Sequence, residues 1–178
     1  VNMGTVGALR QGDPPRFGLD ATTAIMGIDV YAEYLAVLPH EGNELTQAIS
    51  AGFSRSFGET QEFLVRGEGY WNQGGRSDTA ISSLMPGSWL PLNLGIHYAY
   101  GEVQWNNLAQ STIDLSLSWL GNISDASWSA NAAMAFELSS LPPFTVTVTY
   151  YGGADDREFT ALTGKQALGL SLRSRVEF

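Results

Sequence analysis

The chain has 178 residues, enough for one domain with a core, and nothing in its composition divides it into two. Its net charge of −9, with a single lysine at Lys165, argues against nucleic acid as a partner, because phosphate binding needs clustered Lys and Arg. The absence of cysteine excludes disulfides and thiolate metal sites, and no run of about 18 apolar residues could form a transmembrane helix.

The first half of the chain predicts five β-strands, because apolar and small polar residues alternate with the period of a strand. The predicted strands cover residues 1–10, 16–25, 28–38, 45–57 and 61–72. Residues 16–25 and 28–38 form a hairpin, since the alternation changes phase at Met26-Gly27, as a tight turn requires. Gly58-Glu59 is a second minimal turn.

The second half predicts five more strands, over residues 92–104, 109–121, 127–139, 144–152 and 165–178. In the first of these the larger side chains are expected on one face and the smaller on the other. The larger set is Leu92, Leu94, Ile96, Tyr98 and Tyr100, and the smaller set is Asn93, Gly95, His97 and Ala99. Two long connections, 73–91 and 152–164, fall at the same end of the sheet. The predicted fold is all-β, an antiparallel up-and-down β-barrel.

Alternation alone does not separate a membrane barrel from a soluble, lipocalin-like barrel whose apolar face points inward. The polar face decides the prediction, because Ser, Thr, Gly, Ala and Asn dominate it, where a solvated surface usually carries Lys and Glu. Charged residues make up only 15% of the chain. Aromatic residues also cluster at both ends of the strands, as lipid interfaces select. We therefore expect the apolar face to contact lipid.

The last twelve residues, Ala167 to Phe178, resemble the C-terminal strand of Gram-negative outer-membrane β-barrel proteins, which ends in Phe after alternating apolar residues. The resemblance implies a porin-like protein of the bacterial outer membrane. It also implies contact with lipid and lipopolysaccharide, and recognition by the barrel assembly machinery through Leu170, Leu172, Val176 and Phe178. Because Val1 opens in a strand, the chain is expected to be either a whole ten-stranded barrel or the C-terminal half of a larger one.

Charges of both signs fall on the predicted inner face, and they are the candidates for lining a lumen. The candidates are Glu62, Arg66, Glu68, His97, Asp114, Arg173 and Arg175. One interpretation is a pore in which arginines oppose carboxylates and sort solutes by charge and size. The other is a salt-bridged plug that fills a narrow lumen.

Enzyme chemistry finds little support, because no nucleophile elbow, phosphate-binding loop or paired metal-ligand spacing is present. We expect no catalytic residue, no metal and no cofactor. The acidic segment with Asp155, Asp156 and Glu158 is expected to be a solvated external loop, or else a site for divalent cations. The apolar segment 73–91 either enters the lumen, contacts a partner or caps the rim.

The expected function is a passive channel for small polar solutes. The alternative is a structural or interaction barrel with a plugged lumen, which anchors external loops or sheathes a partner protein.

Overall fold

The computed structural model describes residues 1–9, 14–39, 44–58, 62–77, 94–108, 111–138, 142–161 and 166–174. It contains ten strands: β1 (Asn2–Ala8), β2 (Arg16–Ile25), β3 (Ile28–Val37), β4 (Thr46–Phe57), β5 (Phe63–Asn72), β6 (His97–Trp105), β7 (Ile113–Asn122), β8 (Ser127–Phe136), β9 (Phe144–Gly152) and β10 (Gln166–Ser174). Across these ranges, no helix has the length and apolar character needed to cross a membrane.

All ten strands belong to one sheet, in which each strand pairs antiparallel with its neighbours in the chain, in the order β1 to β10. The predicted all-β, up-and-down arrangement is therefore confirmed. Strand bounds agree with the sequence prediction within a few residues, except that β6 begins at His97 and not at residue 92. Residues 92 and 93, and residues 175–178 of the predicted last strand, lie outside the described residues.

The predicted hairpin between β2 and β3 is confirmed. Ile25 pairs with Ile28 around a two-residue turn, and both turn residues have positive φ, 52° at Met26 and 76° at Gly27. Two positive φ values define the turn whose twist matches that of the flanking strands. Glycine takes this conformation without steric cost, and Met26 takes it with its side chain 93% exposed.

The two long connections, 73–96 and 153–165, lie at the same end of the sheet, as predicted. The opposite end carries residues 26–27, 58–62, 106–112 and 137–143, so the turn after β4 is longer than the predicted Gly58-Glu59. A short turn at 123–126 joins β7 and β8 at the long-connection end. Most of the predicted apolar segment 73–91 falls in residues 78–93, outside the described residues.

Strand register separates the side chains into an apolar face and a polar face, since directly paired residues point to the same side of a sheet. Among the described residues, the only buried apolar side chains are Ala36, Ala48 and Tyr98. Large apolar side chains elsewhere remain exposed, including Phe53 at 45% and Leu117 at 48%. No second layer covers the apolar face within the part of the chain that the structure describes.

The two edge strands, β1 and β10, differ from the central strands in having only one paired neighbour in the described part of the chain. Within the described ranges no backbone pairing joins β1 to β10, so each leaves one edge open. Leu170 on β10 is accordingly 76% exposed, whereas Leu117 in the same cross-strand row on β7 is 48% exposed. Unpaired strand edges attract further strands, so these two edges are where the sheet can close or extend.

Candidate functional site

Most of the predicted inner charges lie on the polar face of the sheet. The register places Arg66 beside Glu102, and Glu68 beside Tyr100, on that face. Asp114 and Arg173 lie near the short-turn end of the same face, in a row linked through Ala135. Glu62 precedes β5, and Arg175 lies outside the described residues.

The face assignment of β6 is wrong in the sequence prediction. His97 pairs with Trp71 and therefore lies on the apolar face, whereas Tyr98 and Tyr100 lie on the polar face. The error has a physical cause: Leu94 and Ile96, which set the predicted phase, precede the strand. Both belong to the connection that pairs with the chain after β5, where the Arg76 amide donates to the Leu94 carbonyl at 2.8 Å.

With the faces of β6 corrected, Glu102 lies on the polar face and forms an ion pair with Arg66. The Arg66 guanidinium lies 3.5 Å from the Glu102 carboxylate, and the two residues are direct cross-strand partners on β5 and β6. The sequence prediction missed Glu102, because the inverted phase of β6 assigned it to the apolar face. The Arg66 side chain is 45% exposed and Glu102 19% exposed, so the pair is partly accessible from the polar side.

A tyrosine and a glutamate meet across β4. The Tyr31 hydroxyl on β3 donates a hydrogen bond to the Glu68 carboxylate on β5. Gly52 lies between them in the same cross-strand row, and a Cβ there would come within 2.5 Å of the Tyr31 ring and hydroxyl. Glycine at residue 52 therefore leaves the space in which the phenol crosses β4 and bonds to the carboxylate.

The next row of the polar face runs across seven strands, from β2 to β8. It consists of the consecutive cross-strand partners Asp20, Glu33, Ser50, Tyr70, Tyr98, Asn122 and Ser127. Sequence alternation placed several of these on one face, but it did not indicate that they form a single row.

Two cavities open along this row, one over β1 to β5 and the other over β3 to β7. One, of about 420 Å³, extends from Val6 and Asp20 to Tyr70, and the other, of about 240 Å³, extends from Glu33 to Tyr98, Tyr100 and Leu120. Three residues line both cavities: Glu33, Ser50 and Tyr70. Ser50 is only 9% exposed, and its hydroxyl has no hydrogen-bond partner among the described residues.

The β6 to β8 part of the row is closed by the connection after β9. The Glu158 carboxylate accepts hydrogen bonds from the Tyr98 hydroxyl and, at 2.8 Å, from the Asn122 side-chain amide. Its backbone amide donates to the Asp125 carboxylate at 3.0 Å. Asn122 is 2% exposed and Ser127 1% exposed, whereas Asp125 and Glu158 are partly exposed, so the cluster is closed on the side of the sheet. We call Tyr98, Asn122, Asp125, Ser127 and Glu158 the rim cluster.

The rim cluster changes the interpretation of the acidic loop. The acidic segment was predicted to be a solvated loop, and Asp155 is indeed exposed. The prediction is wrong for Glu158, whose carboxylate accepts hydrogen bonds from Tyr98 and Asn122 on the polar face. Thr160, two residues further on, is fully buried and its hydroxyl donates to the Ala154 carbonyl. The loop therefore folds back over the sheet at the long-connection end.

No group of three or more His, Asp or Glu side chains with metal-binding geometry exists among the described residues. Of the four residues predicted as an assembly signal, Leu170 and Leu172 lie on the apolar face of β10, exposed at 76% and 72%. The other two, Val176 and Phe178, lie outside the described residues.

No protein-family model matches this sequence, and no curated protein or solved structure matches the chain. Function must therefore be argued from the geometry of the two faces.

Proposed function

We propose that this chain forms the wall of an outer-membrane β-barrel, and that its polar face lines a passive channel for small polar solutes. The observation that carries the proposal is the unequal distribution of charge between the two faces. Among described strand residues, the only formal charge on the apolar face is Arg55, which lies near a strand end with its guanidinium 4.8 Å from the centre of the Phe57 ring.

The polar face carries all the other charges of the strands. These are Arg16, Asp20, Asp29, Glu33, Arg66, Glu68, Glu102, Asp114 and Arg173. In a soluble barrel the charged face is on the outside, in water. In this sheet the buried polar side chains of the strands, Ser50, Asn122, Ser127 and Ser129, lie on the polar face, whereas Phe53 and Leu117 on the apolar face are 45% and 48% exposed. In water the sheet would therefore expose a continuous apolar surface far larger than monomeric soluble proteins usually carry. Lipid contact on the apolar face removes this cost.

Aromatic rows support the same orientation. Phe57, Phe63 and Trp105 are cross-strand partners at the short-turn end, with ring centres 6.0 and 6.4 Å apart. At the other end of β5 lies Trp71, eight residues from Phe63. That separation corresponds to roughly 26 Å of strand, or about 20 Å along a membrane normal at the tilt usual for such barrels. The spacing suits two interfaces that bound a hydrocarbon layer.

The proposal requires the sheet to close, because an unpaired backbone group in lipid costs several kcal/mol. Closure takes place at the open edges of β1 and β10, either with each other or through additional strands. A ten-stranded barrel would have a lumen only slightly wider than the eight-stranded barrels that side chains fill. An open channel for solutes therefore favours a wider wall.

Carboxylates outnumber arginines on the polar face, six to three in the strands named above. A channel lined in this way concentrates cations and repels anions. We therefore expect a cation-preferring conductance.

Planar-bilayer recording of the purified full chain tests the proposal. Steady ohmic currents with a reversal potential that favours potassium over chloride are expected in a salt gradient. A chain that stays monodisperse in buffer without detergent contradicts the membrane assignment, and a chain that inserts in liposomes but passes no current contradicts the channel.

A second function is favoured by one observation, the folded-back loop at the rim cluster. Because Glu158 and the Phe159 amide bond to Tyr98, Asn122 and Ser127, they hold the connection after β9 over the polar face, as in a closed structural barrel that anchors external loops or a protein partner. Recording the Asn122→Ala variant separates the alternatives. New or larger currents in that variant favour a plugged barrel opened by the loss of the cluster, and unchanged currents favour a channel that already conducts.

A further inference from the structure

We propose that the two adjoining cavities lined by Glu33, Ser50 and Tyr70 form a binding site for the ammonium or guanidinium group of an organic cation. The inference rests on the proposed function, since it names a class of solute for the same polar face. We call these three residues the cation site.

The first argument is uncompensated negative charge. Asp20 and Glu33 are direct cross-strand partners on β2 and β3, and like charges placed opposite each other destabilise a sheet. Glu68 lines the smaller cavity together with Glu33. The nearby basic side chain, Arg66, is already paired with Glu102. A cation from solution would relieve the repulsion that the chain leaves in place.

The second argument is the buried Ser50 hydroxyl. A hydroxyl removed from water without a partner is costly, and native structures rarely retain one. At 9% exposure, with no partner among the described residues, Ser50 lies in the floor between both cavities. An N–H group of a bound solute would supply the hydrogen bond that the hydroxyl lacks.

The third argument is the aromatic wall. The rings of Tyr70 and Tyr98 lie with centres 6.0 Å apart and planes inclined at 52°, and Tyr100 lines the same cavity. Tyr98 is held in place by its bond to Glu158, so its ring is preorganised. Aromatic faces attract cations within about 6 Å of the ring centre. Carboxylates beside tyrosine rings therefore favour an organic cation over a neutral solute of the same size.

The size of the site fits a head group and not a large molecule. The smaller cavity, of about 240 Å³, has room for about eight water molecules at their liquid volume of roughly 30 Å³ each. A methylguanidinium or tetramethylammonium ion fits within this space, and the larger cavity leaves room for the remainder of a longer amine.

Binding of methylguanidinium to the detergent-solubilised full chain, followed by saturation-transfer NMR, is the direct test. We expect saturable binding that Glu33→Gln weakens about tenfold. The matched control is Asp29→Asn, which removes the same charge from the same strand and face outside both cavities. Equal weakening of methylguanidinium binding by both variants would overturn the proposed site, because it would show that the cation responds only to the overall negative charge of the polar face.

Variants of Tyr70 separate a cation from a neutral solute. Tyr70→Phe keeps the ring face and is expected to retain binding within twofold, whereas Tyr70→Leu is expected to weaken it about fivefold or more. Glucose serves as the neutral probe. Binding of glucose in preference to methylguanidinium, or loss of binding in Tyr70→Phe, would overturn the proposal in favour of a site built on hydroxyl hydrogen bonds.

Bilayer recordings keep this inference distinct from the channel proposal. Brief current blockades by methylguanidinium that Glu33→Gln shortens support both. Steady currents without blockade or binding refute the cation site alone, and binding in micelles without any current refutes the channel alone.

Discussion

Two of the tyrosine–glutamate pairs on the polar face, Tyr98 with Glu158 and Tyr31 with Glu68, differ in how completely their surroundings satisfy polar atoms. At the rim, Tyr98 and Glu158 are joined by Asn122 and by backbone amides, and Tyr98 and Asn122 are buried. In the middle of the sheet, Tyr31 holds Glu68, but the adjoining row leaves the Ser50 hydroxyl without a partner and two carboxylates facing each other. A saturated cluster stabilises the fold, whereas an unsaturated one is suited to a ligand.

The largest expected effect concerns the saturated cluster. Asn122→Ala removes the amide that donates to Glu158, and it also removes the oxygen that accepts from the Ser124 and Asp125 amides. Because the substitution leaves a partly buried carboxylate without that donor and also removes the acceptor of two backbone amides, we expect the free energy of unfolding to fall by about 4 kcal/mol. Urea unfolding in detergent, followed by tryptophan fluorescence, measures the change.

Asn131→Ala is the control for that variant. Asn131 lies on β8, on the same face of the sheet as Asn122, and it bonds to Thr149 at 2.7 Å but to no carboxylate. A loss of about 1 kcal/mol is expected. Equal losses in the two variants would contradict the distinction between the rim cluster and the rest of the polar face.

The next prediction tests whether the polar face, with the rim cluster and the cation site, points into an enclosed space. Leu117→Lys places a charge on the apolar face near the middle of β7, and Ser118→Lys places the same charge on the polar face one residue later. In lipid vesicles we expect the first variant to lose about 3 kcal/mol of folding free energy and the second less than about 1 kcal/mol. The reverse order would show that the apolar face is turned inward, away from lipid.

A smaller effect concerns the Tyr31–Glu68 pair. A Cβ at Gly52 would come 2.7 Å from the Gly67 carbonyl as well as against the Tyr31 ring, so Gly52→Ala is expected to cost about 2 kcal/mol. Gly69→Ala on β5 is the matched control, because a Cβ at that position meets nothing within 4 Å. Thermal unfolding monitored by circular dichroism compares them. Equal stability of the two would contradict the close packing of Tyr31 over residue 52.

The smallest effect concerns charge in the unsaturated region. Glu33→Gln removes one of two opposed carboxylates, and we expect the preference for potassium over chloride to fall by less than about twofold, without loss of stability. Reversal potentials in a salt gradient measure the preference. A clear destabilisation would show that Glu33 has a structural partner, as Glu158 does.

The positions of the strands were predictable because alternation is a local property. The two faces of β4, β7, β8 and β9 follow directly from the sequence. The prediction of the two faces of β6 was wrong, because Leu94 and Ile96 continue the alternation into a connection that is not a strand. No local feature of the sequence marks the residue at which β6 begins. That failure concealed Glu102 and reversed the placement of His97.

The sites were less predictable than the strands. Glu158 is 60 residues from Tyr98 along the chain, and Glu68 is 37 residues from Tyr31. No pattern of neighbouring residues indicates which of several inward carboxylates meets a tyrosine. A glycine opposite a tyrosine, as at Gly52, becomes informative only once the register is known.

The amino-acid sequence by itself determined that this chain has ten two-faced strands, since side-chain alternation and turn residues act over a few positions. Only the tertiary structure decided which polar residues share a row, because the register of each strand depends on all its hydrogen bonds to its neighbours. The division of that row into a closed rim cluster and an open cation site is therefore a property of strand pairing and of the folded-back loop.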